Sequence, residues 1–194
     1  MEKISISLQD YSANKLYPCA LFLYGTTKED GTPNFGLFTW FNYCYDKELA
    51  VMACIGGSKL TKDRIKTTKF FSANLVTEPL LPLADYLGST KGYTPGKMDI
   101  PVNVEQGKIL PVPVLKDSPW IYELEVNQSV QLSDSEIFIC KIHNVLIAND
   151  LVDKSKKEEE FINQYKPVLW FGTGKYFSMN TNFLGNTGDW KNFH

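Results

Sequence analysis

The sequence predicts a mainly β fold, an antiparallel barrel with a few helices at its periphery, and three observations carry that expectation. Apolar and aromatic runs of strand length recur between Pro18 and Ala148. Turn chemistry, including Asp30-Gly31 and Ser133-Asp134-Ser135, stands between them. Helical periodicity is confined to short stretches. Many strands with few helices favour a sheet that closes on itself over a helix-covered parallel sheet.

Taken in order, Pro18 to Thr27 and Phe35 to Phe41 read as a hairpin about Asp30-Gly31, since Gly tolerates positive φ and Asp bonds its own backbone. Leu49 to Ile55 is a short continuous apolar run, as expected of a strand buried on both faces. Lys59 to Lys69 reads as a helix with a thin stripe, Leu60 and Ile65. Phe70 to Val76 is a further strand, and Glu78 to Leu87 a second helix confined by its prolines to the part after Pro82. From Gly88 to Asp117 the chain turns to Gly, Pro and Lys, which predicts an irregular surface excursion. Ile121 to Leu132 and Glu136 to Ala148 form a second hairpin, and Lys154 to Glu160 is a charge run, read as a solvated helix face or loop.

Composition removes whole classes of function. The 194 residues carry 20 Lys+Arg and 22 Asp+Glu, and 43% are hydrophobic, enough for a core in one domain. A slightly acidic chain lacks the basic footprint of a nucleic-acid binder. The two histidines, His143 and His194, cannot build a multi-His metal centre, and a Ser-His-Asp triad would have to run through His143. Cys19, Cys44, Cys54 and Cys140 form no CxxC pair and read as reduced thiols of a cytoplasmic protein. The apolar runs are too short for a membrane span.

Two segments have chemical potential. Gly56-Gly57-Ser58-Lys59-Leu60-Thr61 joins a strand to the best helix, and its glycines, hydroxyls, helix-start N–H groups and Lys59 suit a phosphate. The same residues also describe a plain helix capped by Ser58 after a glycine turn. Phe38, Trp40, Phe41 and Tyr43 either wall a planar ligand or fill a β core; strict alternation would set Phe38 and Trp40 on one face, Phe41 and Tyr43 on the other. Cys54 and Cys44 flank these segments and read as packing thiols.

The order of motifs resembles the flavin reductase-like FMN-binding split-barrel family, its flavoredoxin-type branch in particular. The resemblance rests on Tyr17-Pro18, Thr26-Thr27, Asp30-Gly31-x-Pro33-Asn34 and then Trp40; on Ser58-Lys59-x-Thr61-x3-Ile65 and Phe70-x3-Asn74-Leu75; on Asp85-Tyr86-x-Gly88-Ser89 and Gly92-x4-Lys97-x-Asp99; on the strands around Tyr122 and Phe138; and on Gly185-x2-Gly188-x-Trp190-Lys191. Leu37, Thr39, Lys59 and Cys140 depart from the family's usual residues. The resemblance implies an antiparallel split β-barrel over residues 1–194, with 88–117 an excursion and 173–194 a C-terminal tail.

It further implies noncovalent FMN near the interface of a homodimer, with NADH or NADPH as transient reductant and a small molecule or a protein as electron acceptor. Gly36, Leu37, Phe38, Thr39 and Trp40 would run along the isoalloxazine, and Ser58, Lys59 and Thr61 would hold the phosphate. Asn34 and Asn74 would complete the pocket, with Tyr93, Lys97, Lys175 and Trp190 as loop or tail candidates. Flavin carries its own hydride chemistry, which agrees with the lack of an acid–base dyad, so no catalytic side chain is expected. The activity implied is that of a flavin reductase or flavoredoxin-like electron carrier; the rival reading is a non-enzymatic module binding flavin or haem.

Overall fold

A computed structural model describes residues 2–7, 16–172, 174–179, 181–182 and 187. Its centre is a seven-stranded antiparallel sheet. The hairpin β2 (Phe22–Thr27) and β3 (Pro33–Phe38) is followed by β4 (Phe41–Asp46), β5 (Glu48–Gly56) and β6 (Phe70–Leu75), then the long hairpin β9 (Trp120–Gln131) and β10 (Ser135–Ile147). The spatial order is β3-β2-β6-β9-β10-β5-β4. At the first turn Gly31 has φ +83° and the Asp30 carboxylate accepts the Thr32 N–H at 2.9 Å, as the Asp-Gly pair predicts. In the second hairpin the register shifts at Ile139/Cys140 and Ile142/Asn144, irregularities of the kind that bend a sheet.

Inward side chains of this sheet make the main core. Phe22, Tyr24, Val51, Ala53, Ile55, Phe71, Leu124 and Phe138 pack together, joined by Ile65 from α1 (Leu60–Thr68). On the opposite face, Leu23 of β2 and Leu21 just before it pack with Phe35 against Ala84 and Leu87 of α2 (Leu81–Ser89). β2 is therefore buried on both faces. β5 is not: Val51, Ala53 and Ile55 are buried on one face, while on the other Met52 is 37% exposed and Cys54 and Gly56 are only partly buried. The apolar run that predicted two buried faces has one, because no helix covers its outer side.

Other expectations also change. The helix starts at Leu60 with Lys59 as its N-cap and no side-chain cap bond, so Ser58 does not cap it, and Thr61 rather than Leu60 is buried beside Ile65. The stretch expected as a surface excursion holds two short paired strands, β7 (Val104–Gln106) and β8 (Pro113–Leu115). Its Leu110, Val112 and Val114 form a small core with Ile121. Glu123, fully buried on β9, fixes this segment by accepting the N–H groups of Lys108, Ile109 and Leu110 at 2.8, 2.9 and 2.6 Å. Burial pushes its carboxyl pKa up, but these bonds and one from Asn144 outweigh it and hold the value below the ordinary range.

The charge run leads into α3 (Glu158–Tyr165). Beyond it, β11 (Val168–Phe171) pairs with β1 (Pro18–Ala20) and with β12 (Lys175–Ser178) in a separate three-stranded sheet, where a tail was expected from residue 173. The Gly185 to Lys191 motif lies outside the described residues apart from Thr187.

Candidate functional site

The chain between β3 and β4 leaves the sheet for two residues. Thr39 and Trp40 form the break: the Phe41 N–H donates to the Thr39 carbonyl at 3.0 Å and the Cys54 N–H to the Trp40 carbonyl at 2.9 Å. Strict alternation fails here. Phe38 stacks on Tyr24 with ring centroids 4.6 Å apart, and Phe41, after the break, packs on Phe22 at 4.4 Å. Trp40 is left 54% exposed beside Gly56 of β5, the strand's outer face.

A cleft of two chambers lies along this segment. The wide chamber, about 600 Å³, is lined by Leu37 to Trp40, Cys54, Gly56 and Gly57, together with Asp85, Asp134, Trp170 and Tyr176. The narrow chamber, about 390 Å³, lies between Gly36 and Phe38 of β3, Ser58 to Thr61 at the start of α1, and the segment from Leu87 to Lys97. Leu37, Phe38, Lys59, Gly88 and Ser89 line both, so the chambers meet. Their sizes lie within the range of about 300–1,000 Å³ usual for small-molecule sites. Gly88 permits this closeness: a Cβ there would sit 2.9 Å from the Leu37 Cβ.

The narrow chamber is cationic and polar. Lys97 is buried; its ammonium donates to the Phe35 carbonyl at 2.7 Å and the Leu87 carbonyl at 2.8 Å. An ammonium carries three N–H donors, so one is left over. Burial first, and the Lys59 charge second, lower its pKa to about 8. Asn34, 1% exposed, donates to the Thr26 and Thr61 hydroxyls at 3.2 and 3.1 Å, while its Oδ1 has no partner. That oxygen would stand 3.2 Å from a Cβ at Gly92, which lines the same chamber. Tyr93, also on this wall, donates its hydroxyl to Asp63 of α1.

Eight of the ten residues picked from the sequence thus line one cleft: Gly36, Leu37, Phe38, Thr39, Trp40, Ser58, Lys59 and Thr61. Asn34 stands directly behind Thr61. Asn74 is elsewhere in role. Its amide donates to the Leu23 carbonyl and the Ser72 hydroxyl at 2.8 and 2.9 Å, its oxygen accepts the Leu115 N–H at 2.8 Å, and it lines neither chamber. Lys175 is exposed and also outside the lining, and Trp190 lies beyond the described residues.

Sequence reasoning gave no site role to Asp85, Asp134, Trp170 and Tyr176, which line the wide chamber. The apolar Val168-Leu169-Trp170-Phe171 run after Pro167 was the available signal for the strand that brings Trp170. The Tyr176 hydroxyl donates to Asp85 at 2.7 Å; burial and this bond push its pKa up to about 12. Among the described residues no cluster of three or more His, Cys, Asp or Glu could hold a metal, and no helix is long and apolar enough to cross a membrane.

Residues 15–179 match the family described as Flavin reductase like domain. The structure is similar to that of flavoredoxin from Methanosarcina acetivorans, with a TM-score of 0.82 and 18% identity over 97% of this chain and 96% of that one. Flavoredoxin of Desulfovibrio vulgaris (Miyazaki F) superposes with a TM-score of 0.81 at 21% identity, covering 95% and 98%. An FMN-binding protein from Thermus thermophilus gives 0.74 at 20% identity, covering 96% and 99%. No sequence among the curated proteins matches the chain.

Proposed function

Since the chain belongs to the flavin reductase like domain family, we propose that the two-chambered cleft binds FMN noncovalently and that the protein is an NAD(P)H-dependent flavin reductase or a flavoredoxin-like electron carrier. The observation that carries this reading is the division of the cleft. A cationic, hydroxyl-rich chamber opens directly into an aromatic-walled one, which is the chemistry a phosphate joined to a planar ring requires.

Lys59 and Lys97 supply positive charge for the phosphate, with Ser58, Thr61 and the first-turn N–H groups of α1 as donors. Lys97 is held in place by its two carbonyl bonds, so little side-chain entropy is lost on binding. Leu37 to Trp40 form the wall for the isoalloxazine, and the Phe38 ring is stacked on Tyr24. When bound, flavin supplies the hydride and electron chemistry itself. The protein's part is to hold, orient and partly dry the ring. No described side chain is assigned a proton. The exposed outer face of β5 and Trp40 beside the cleft also fit a homodimer whose interface borders the site.

The test is a visible spectrum after gel filtration with added FMN, followed by anaerobic NADH and NADPH. Retained flavin absorption that either nucleotide bleaches is the expected result. Retained colour that neither bleaches would leave a flavin-binding module or a carrier reduced by another protein, and no retained colour would overturn the reading.

A further inference from the structure

The helix beside the narrow chamber carries three threonines, and they use their hydroxyl protons differently. Thr67 and Thr68, in the last turn of α1, donate to the carbonyls of Asp63 and Arg64, four residues back, at 3.0 and 2.9 Å. Thr61 stands in the first turn, where the chain four residues back has not yet entered the helix. It is buried, and its hydroxyl accepts the Asn34 amide N–H at 3.1 Å. Among the described residues that hydroxyl has no acceptor for its own proton.

Asn34 fixes the sense of that bond. An amide N–H can only donate, whereas a hydroxyl has one proton to give and lone pairs to accept with. Because the Asn34 Nδ2 donates to both the Thr26 and the Thr61 hydroxyls, each must turn its own proton elsewhere. Thr26 turns its proton to the Asn34 backbone carbonyl at 3.5 Å. Thr61 lines the narrow chamber, so its proton is left for what enters there. Gly36 keeps the hydroxyl uncovered, since a Cβ at that position would sit 3.0 Å from the Thr61 Oγ1. The carbonyl of the preceding residue, Phe35, accepts from Lys97, whose third N–H is also left over. Two available protons thus flank one short piece of β3. The other end of the Asn34 amide, Oδ1, lies on the Gly92 side.

We infer that Asn34 is a positioning residue that holds the Thr61 hydroxyl as a donor to the narrow chamber. The chamber is thereby suited to a phosphate dianion, a group that accepts hydrogen bonds and has none to give. The inference rests on the flavin reading above, in which that phosphate is the one FMN carries and riboflavin lacks.

The experiment titrates unloaded protein with FMN and with riboflavin, followed by flavin fluorescence, and reads the ratio of the two affinities. T61V keeps the shape and removes the proton. The loss of one hydrogen bond to a charged group should weaken FMN binding by about ten-fold or more and leave riboflavin unchanged. T61S should restore the wild-type ratio. N34A adds no charge but frees the hydroxyl to turn, and should lower the ratio by less than T61V does. N34D puts an acceptor where the amide donor stood and should draw the Thr61 proton away from the chamber. Its added negative charge would also repel a phosphate, and N34D/T61V separates the two effects. With the proton already drawn away, T61V should weaken FMN binding by less than about two-fold further, whereas repulsion alone would leave its full effect.

An unchanged ratio in T61V or in N34A would overturn the inference, and so would the full effect of T61V in the N34D background. Equal affinity of the wild type for the two flavins would overturn it as well. Each of these results leaves flavin binding itself intact. A wild type that binds neither flavin would overturn the flavin reading and this inference together.

Discussion

At the narrow end of the cleft the charge that matters is buried: Lys97 is 5% exposed and tied to two backbone carbonyls. At the wide end Asp85 and Asp134 stand in solvent. The same cavity thus has one end where a group is fixed by hydrogen bonds and costs stability when altered, and another where charge acts through solvent and is altered almost freely. This difference teaches which end is built to hold a ligand: tight retention calls for fixed donors, and the buried end has them.

The largest break in that contrast is Lys97→Met. It leaves the Phe35 and Leu87 carbonyls without their donor, and at about 1–3 kcal/mol for each unsatisfied group the fold should lose about 2–6 kcal/mol. FMN retention should be lost as well, as denaturant unfolding and gel filtration with flavin will show. Asp85→Asn, by contrast, should change stability by less than about 0.5 kcal/mol.

Next comes Gly88→Ala. The new Cβ would meet Leu37 at 2.9 Å and must push α2 from β3, costing about 1–3 kcal/mol. Because Gly88 lines both chambers, binding of FMN and of riboflavin should weaken together. A loss confined to FMN would show that only the narrow end is disturbed.

The pH dependence of affinity sharpens the same comparison. In the free protein Lys97 titrates near 8, below the ordinary lysine value of 10.5. A phosphate beside it would raise that value, so above about pH 8 binding must take up a proton and FMN affinity should fall, by at most about ten-fold per pH unit. Riboflavin, with no phosphate, should show no such fall. For stability the sign is opposite: between about 8 and 10.5 the unfolded chain binds more protons at this residue. Its contribution to folding therefore improves as pH rises through that window, and the slope should vanish in Lys97→Met.

The smallest effect is expected at Cys54→Ser. Cys54 borders the wide chamber, yet no step is assigned to its thiol, so NAD(P)H oxidation should change by less than about two-fold. A large loss would give the wide end a chemical part through that thiol.

Local signals proved reliable where one interaction decides the outcome. Asp30-Gly31 sets its turn through an Asp carboxylate and a positive φ, both adjacent in sequence. Gly56 to Thr61 suggested a phosphate cradle because the glycines, hydroxyls and helix start all act within six residues, and the structure sets these residues along the cleft. What could not be read depends on distant neighbours. The apolar run of β5 resembles that of β2, but only β2 has a helix packed on its outer face. Asn74 and Lys97 are both polar residues in candidate motifs, and their roles separate only when the tertiary bonds of Asn74 are known to use every polar atom of its amide. Asp134 needed the hairpin placed against Gly57, and Trp170 needed β11 placed against β1.

That last pairing bears on how the protein forms. Pro18 lies opposite Phe171 in the ladder of β1 and β11, a contact across 171 − 18 = 153 residues. Contacts so remote carry a large loop-closure cost and are slow to form. During synthesis the narrow chamber's lining, from Gly36 to Lys97, emerges well before Trp170 and Tyr176. The nascent chain has every residue of the narrow chamber before it has the wall of the wide one.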